Sequence, residues 1–341
     1  MQKKILMFLT LLFSIIIVSC NNANKSSNEN NKEVDNSKLK VVTTIFPIYD
    51  FTRNIAVDNV NLQMIIKPGI EIHSFNTTPA DVIDIQNADV FIYIGGESEA
   101  WAEKIISSMN TMDTNGKKII RLIDYVKALD EEIVEGMEHD TDHNHEEEAN
   151  HEEHENHIEE SHTHEGVYDE HIWTSPKNAQ LMVTAICNAL SEIDVNNADI
   201  YKTNTDKYNQ ELTVLDEEIR NTVNTSKRKN IVFGDRFPFR YLAEEYGLEY
   251  RAPFTGCSSQ VDASPKTIAY LMNYIKDNKI PYLYYIELSN EKIANTLIEQ
   301  TGAEKLKLHS GQNVSKEEFN SGVTYLSIMR DNLESLKKGL N

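Results

Sequence analysis

Short runs rich in β-branched residues alternate with amphipathic helical patterns through most of this 341-residue chain. One longer helical pattern, from Asn197 to about Thr225, separates two such series and contains no Gly or Pro. The alternation predicts parallel sheets covered by helices on both faces. We therefore expect an α/β fold with two parallel-sheet lobes, at 39–195 and 227–341, joined by one long backbone helix at 196–226. The predicted strands are 40–46, 61–66, 89–94, 118–122, 230–234, 281–286 and 305–308, and the predicted helices are 47–57, 78–87, 99–109, 176–193, 197–225, 238–246, 264–276, 291–301 and 325–340.

The first 38 residues predict export and a lipid anchor. Lys3 and Lys4 precede an apolar run that is short for a membrane-spanning helix, which is typical of a signal peptide over 1–19. The run ends in Ile-Val-Ser-Cys20, which resembles a bacterial lipobox and implies cleavage before Cys20 and lipid attachment to it. An uncleaved anchor helix is the alternative. Residues 20–38 have the polar composition of a flexible tether, so we expect the protein outside the cytoplasm, anchored to the cell membrane.

A histidine-rich acidic segment lies within the expected loop 131–168. It carries eight of the eleven histidines and no Lys or Arg. Imidazole and carboxylate groups together are ligands of zinc and similar divalent metals. A solvated acidic linker is the alternative, but it does not explain so many histidines. The segment is too polar to bury a core, so we expect a mobile loop that captures metal weakly, through His139, His143, His145, His151, His154, His157, His162 and His164.

Charge and cysteine content narrow the possible functions. Residues 131–170 hold seventeen acidic and no basic side chains, so the rest of the chain carries only about −4 of the net charge of −21. That near-balanced body disfavours nucleic acid as a partner. Cys187 lies in an apolar helical pattern and Cys257 in a loop. Two cysteines exclude a disulfide scaffold, although a single disulfide between them stays open.

Four side chains outside the acidic segment fall at strand ends or loop junctions. His73 and Asp235 follow predicted strands, His309 follows another, and His171 precedes a helix. Because ligand sites in α/β folds form at the carboxyl ends of strands, these side chains could converge in a cleft between the lobes. Three His and one Asp suit Zn²⁺, whereas manganese and iron match less well.

The same residues resemble a known family, the zinc or manganese solute-binding lipoproteins of bacterial ABC transporters (cluster A-I, with adhesin-like members). Pro68-Gly-Ile-Glu-Ile-His73 matches the first ligand motif, and Asp169-x-His171-x-Trp173-x-x-Pro176 matches the second. Glu99-Ala-Trp101 and the closing helix from Tyr325 also match. The resemblance covers nearly the whole chain after the tether, and a His-rich acidic loop before the second ligand is typical of zinc members.

Two positions depart from the family pattern. Asp235 stands where the family usually places a third His, and His309 stands where it usually places an acid. The exchange keeps three His and one carboxylate. The alternatives are an ion pair of Asp235 with Arg236 or Arg240, and a surface position for His309 with Glu287 completing the shell. Asp169 is expected to orient His171.

The resemblance implies a monomeric receptor, not an enzyme, that captures Zn²⁺ and delivers it to a membrane permease with a cytoplasmic ATPase. Manganese binding within the same family is one alternative. A zinc hydrolase is another, although no His-Glu-x-x-His or Gly-x-Ser-x-Gly motif is present. A surface adhesin is the third, but it does not explain the placement of His73 and His171.

Overall fold

The first lobe is built on four parallel strands. The computed structural model describes residues 37–109, 116–138, 168–260 and 262–341. In it the sheet order is β2-β1-β3-β4, and Val41 of β1 lies opposite both Leu62 and Val90. All four residues of β3 are buried, as expected of a strand with helices on both faces. The strands are β1 (Leu39–Thr43), β2 (Val60–Met64), β3 (Val90–Tyr93) and β4 (Lys118–Arg121).

Helices of the first lobe begin at the start signals that the sequence carries. Thr78 caps its helix by a reciprocal capping box with Asp81, which satisfies backbone groups that the helix leaves free. Ser175 accepts the N–H of Asn178, and Pro176 occupies the first turn. The helices are α1 (Phe46–Ala56), α2 (Pro79–Gln86), α3 (Ala100–Ser108) and α4 (Pro176–Ile193).

The connecting helix α5 (Ala198–Thr225) has 28 residues, so it extends about 42 Å at the usual rise per residue. Its buried side chains form one stripe with helical spacing, which packs against α1, α4 and the closing helix α10 (Tyr325–Gly339). Because α5 packs against helices of both lobes, it resists bending, so we expect only small movements between the lobes. The stripe consists of Tyr201, Thr205, Tyr208, Leu212, Leu215, Ile219 and Val223.

The second lobe repeats the strand order of the first. Strand β5 pairs with β7, β9 pairs with β10, and a parallel bridge from Phe233 to Tyr284 joins the two pairs. The resulting order β7-β5-β9-β10 is the same as the order β2-β1-β3-β4 of the first lobe, when the main strands of each lobe are counted along the chain. A separate short pair, β6 with β8, follows the ends of β5 and β7. The strands are β5 (Asn230–Val232), β6 (Arg236–Phe237), β7 (Glu249–Arg251), β8 (Phe254–Thr255), β9 (Tyr282–Tyr285) and β10 (Glu304–Lys307), and the helices are α6 (Arg240–Tyr246), α7 (Pro265–Asp277), α8 (Lys292–Thr301), α9 (Lys316–Asn320) and α10.

Direct contacts join the two lobes. The indole N–H of Trp173 donates to the Ser310 carbonyl at 2.7 Å, and the Tyr325 hydroxyl donates to the Trp173 carbonyl at 2.6 Å. One apolar core continues from the first sheet through α4 and α5 to the second lobe. The α/β fold with two parallel sheets is confirmed, while the exact lobe boundaries stay a prediction.

Cys187 and Cys257 are both free thiols, so the disulfide that the sequence left open is not formed.

Within the described ranges, no helix is long and apolar enough to cross a membrane. Residues 1–36, with the predicted signal peptide and Cys20, lie outside those ranges.

Candidate metal centre

His73 is held on a short helical turn (Ile72–Ser74) that follows β2. Its backbone N–H donates to the Glu71 carboxylate at 3.4 Å, and its Nδ1 lies 3.1 Å from the Ser98 hydroxyl. The second lobe fixes the loop before it, because Asn313 donates to the carbonyls of Lys67 and Ile70. The imidazole is only 6 % exposed, so its orientation is set before any ligand arrives.

His171 is fully buried, and Asp169 fixes its orientation. The carboxylate accepts from the His171 backbone N–H at 2.8 Å and lies 3.0 Å from ring Nδ1. Since Nδ1–H donates to Asp169, Nε2 is the nitrogen left for a metal, and it has no hydrogen-bond partner within the described chain. The role predicted for Asp169 fits this contact. The centres of the His73 and His171 rings are 6.2 Å apart, so the two side chains are neighbours.

The two imidazoles differ in their pKa shifts. Burial lowers the pKa of His73 well below its usual value, and the positive charges of Arg236 and His171 lower it further. Burial also lowers the pKa of His171, but the charge and hydrogen bond of Asp169 outweigh it, and the net shift is upward. Metals bind neutral imidazole. His73 is therefore ready to bind a metal at neutral pH, whereas His171 gives up a proton more reluctantly.

Gly256 contacts the buried imidazole from the second lobe. A Cβ atom at this position would lie 3.0 Å from both Cε1 and Nδ1 of His171, and 2.9 Å from the Phe237 carbonyl. A larger residue would therefore force the His171 ring or the Phe237 backbone to shift. A glycine followed by Cys and Ser in a loop carries no sequence signal for this role, because the contact exists only in the folded chain.

Asp235 and His73 line one cavity of about 330 Å³ between the lobes. The Asp235 side chain accepts from the Arg236 backbone N–H at 2.9 Å, and burial raises its pKa. The Arg236 side chain pairs with Glu71 at 2.8 Å instead, which differs from the alternative of an Asp235–Arg236 ion pair. Nothing in the sequence indicated the Glu71–Arg236 pair, although Glu71 stands two residues before His73.

His309 and Glu287 form a second group, away from that cavity lining. His309 Nδ1 accepts the Gly311 N–H at 2.9 Å, and its Nε2 lies 3.8 Å from a Glu318 oxygen. Glu287 lies 3.4 Å from His309 Nδ1 and accepts from the Ser310 N–H at 2.7 Å. Across the ranges that the structure describes, no three His, Cys, Asp or Glu side chains converge closely enough to hold a metal. The four-ligand set His73, His171, Asp235 and His309 therefore stays a prediction.

The eight histidines predicted to capture metal lie in 139–167, outside the described residues. They are His139, His143, His145, His151, His154, His157, His162 and His164.

A buried carboxyl group lies beside the His73 loop. Glu99 is 1 % exposed, and its Oε2 accepts the backbone N–H groups of Ile94 at 2.7 Å and Gly95 at 2.9 Å. Burial raises its pKa to about 7, and this outweighs the opposing hydrogen bonds. The folded protein therefore binds an extra proton between pH 4.5 and about 7.

We expect Glu99→Gln to reduce the change in the free energy of unfolding between pH 5 and pH 8. Because the pKa of Glu99 is raised in the folded protein, binding of its proton stabilises the fold. This contribution is complete below the pKa of the unfolded chain and is lost as pH rises through about 7. The loss is about 3 kcal/mol, at roughly 1.4 kcal/mol per pKa unit. Urea unfolding of metal-free protein at pH 5 and pH 8 measures it. Glu103→Gln provides the control, at a half-exposed carboxylate of α3, the helix that follows Glu99. An equal change of unfolding free energy between the two pH values in wild type and Glu99→Gln would contradict the assignment.

The family model that this chain matches and its sequence relatives agree with each other. Residues 41–339 match the family model described as "Zinc-uptake complex component A periplasmic". The zinc-binding lipoprotein AdcA of Streptococcus pneumoniae is 31% identical over 339 residues, covering 99% of this chain and 61% of AdcA. The high-affinity zinc uptake system protein ZnuA of Bacillus subtilis is 32% identical over 329 residues, covering 96% of this chain and 94% of that protein. The chain thus spans less than two thirds of the length of AdcA.

Solved structures agree with the sequence relatives. The Zn(II)-bound ZnuA-like domain of Streptococcus pneumoniae AdcA has a TM-score of 0.69 at 28% identity, covering 89% of this chain and 99% of that domain. The metal-dependent lipoprotein YcdH of Bacillus subtilis has a TM-score of 0.71 at 28% identity, covering 89% of this chain and 100% of that chain.

Proposed function

Because this chain belongs to the family of the periplasmic component A of zinc-uptake complexes, we propose that it captures Zn²⁺ outside the cytoplasm and delivers it to an ABC transporter for high-affinity uptake. The observation that carries the proposal is the buried pair His73 and His171, with ring centres 6.2 Å apart. The family consists of transport components and not of enzymes. The permease and its ATPase are the proposed partners, and the chain acts as a monomer.

The proposed zinc ligands begin with His73 and His171. Asp235 and His309 are the further ligands proposed from the second lobe, with Glu287 as the alternative to His309. Asp235 supports the proposal because it lines the cavity that also contains His73. His309 would have to turn away from Glu318, which now lies 3.8 Å from its Nε2. The histidines of 139–164 would gather zinc before it reaches this site.

Attachment to the membrane is the second part of the proposal. A lipid on Cys20 would hold the protein at the outer face of the cell membrane, with 21–38 as the tether. The name of the relative AdcA, a zinc-binding lipoprotein, supports this part of the proposal.

We expect zinc to outcompete manganese at the folded site. Two imidazoles favour Zn²⁺, whereas Mn²⁺ prefers oxygen ligands and lies below zinc in the usual affinity order. Competition titration of the full chain with both metals, followed by isothermal calorimetry, measures the preference. Tighter manganese binding would contradict the zinc proposal and favour the manganese alternative. Hydrolysis of ester or peptide substrates by the zinc-loaded chain would instead support the hydrolase alternative.

A further inference from the structure

The ion pair between Glu71 and Arg236 occupies one side of the cavity beside His73. We propose that Glu71 is a zinc ligand and that Arg236 holds its carboxylate until zinc replaces the guanidinium group. This inference rests on the proposed function, because it adds a third ligand to the same site.

The position of Glu71 is fixed from two directions. Its Oε1 accepts the His73 backbone N–H at 3.4 Å and lies 4.0 Å from His73 Nε2. Its Oε2 accepts from the Arg236 guanidinium at 2.8 Å. One carboxylate therefore lies between an imidazole that could bind metal and a permanent positive charge.

Arg236 reaches this position from the second lobe. Its side chain is 13 % exposed, and its other terminal nitrogen donates to the Ser258 carbonyl at 3.2 Å. Glu71, His73 and Arg236 all line the cavity of about 330 Å³. The guanidinium is therefore a largely buried cation beside a proposed metal ligand.

A permanent positive charge beside a site for a dication is unfavourable unless an anion separates them. The Glu71 carboxylate can neutralise either cation, so zinc and the guanidinium group compete for the same negative charge. Exchange of the guanidinium for Zn²⁺ changes the protonation state of neither Glu71 nor Arg236 and needs no other reactant. The product would be a site with two His and one Glu, a ligand set that zinc uses.

The exchange also accounts for the ligand geometry in the described chain. No three potential ligands converge there, and the carboxylate nearest to His73 is the one paired with Arg236. Because this ion pair joins the first lobe to the second, zinc capture would break one link between the lobes.

The experiment measures zinc affinity of the full chain by calorimetry in wild type, Glu71→Gln, Arg236→Gln and the double variant. We expect Glu71→Gln to weaken zinc binding at least about tenfold, more than the loss of an exposed ion pair would. Arg236→Gln should tighten binding about threefold to tenfold, because the carboxylate no longer has a competing partner. In the Glu71→Gln background, Arg236→Gln should tighten binding by a smaller factor than in wild type, because only charge repulsion and no competition for the carboxylate remains.

The pair Arg240 and Glu132 provides the matched control. It is also an Arg–Glu pair between the two lobes, with an oxygen–nitrogen distance of 3.4 Å and an Arg side chain 18 % exposed. Arg240→Gln should leave zinc affinity unchanged, and thermal unfolding of each variant checks that it folds.

Three results would overturn the inference: unchanged affinity in Glu71→Gln, weaker binding in Arg236→Gln, or an equal effect of Arg236→Gln with and without Glu71. The last result would mean simple charge repulsion without exchange. If the proposed function itself is wrong, replacement of His73 and His171 by Ala will also leave zinc affinity unchanged. This result distinguishes it from failure of the inference about Glu71 alone.

Discussion

Replacing His73 and His171 together by alanine will remove the tight zinc site. Loss of a residue that merely orients a metal ligand already costs about 10–100-fold in affinity, so loss of two ligands should cost at least 100-fold. Both side chains are nearly or fully buried, and within the described chain His171 Nε2 has no hydrogen-bond partner. Competition with a zinc chelator of known affinity measures the change.

The matched control leaves the folded site untouched. Replacement of the eight histidines between His139 and His164 by Ser should remove weak zinc binding and retain the tight site. If the variant lacking His73 and His171 still binds zinc tightly while this control does not, then the acidic segment is the receptor site and the proposal fails.

Trp173→Ala will cause a large loss of stability. The side chain is 1 % exposed, and its indole N–H donates to the Ser310 carbonyl across the lobes at 2.7 Å. Truncation of a buried aromatic side chain costs about 3–5 kcal/mol. The Ser310 carbonyl also loses its partner, which costs about 1–3 kcal/mol more if water does not replace it. Urea unfolding of the metal-free protein measures the free energy of unfolding.

Two further variants separate packing from hydrogen bonding. Trp173→Phe keeps most of the volume and loses the donor, so it should cost only about 1–3 kcal/mol. Trp101→Ala, at a half-buried tryptophan that contacts Phe75 edge-on, should cost less than Trp173→Ala. Equal losses in the two alanine variants would show that Trp173 is not an anchor between the lobes.

The regular elements could be predicted because each carries its own signals. Helix α4 spans Pro176–Ile193 as predicted, since Ser175 and Pro176 mark its start and apolar spacing marks its face. The helix predicted from Pro238 begins instead at Arg240, because Arg236 and Phe237 form a short strand with Phe254 and Thr255. Such two-residue strands exist only through pairing with a distant segment, and no local pattern reveals them.

The site was only partly predictable for the same reason. The motifs around His73 and His171 located the two histidines that the structure brings together. The distance between Glu71 and Arg236 depends on how the lobes meet, and His309 lies beside Glu287 because of contacts among the β10 loop, Ser310 and Asn332. Sequence spacing contains no information on either arrangement.

A crystal structure of the zinc-loaded chain, with anomalous diffraction measured at the zinc edge, tests the proposed zinc site directly. We expect a peak between the lobes, with the Nε2 atoms of His73 and His171 at about 2.0–2.1 Å from the metal. A zinc peak on residues 139–164 alone, with both imidazoles unliganded at saturating zinc, would contradict it.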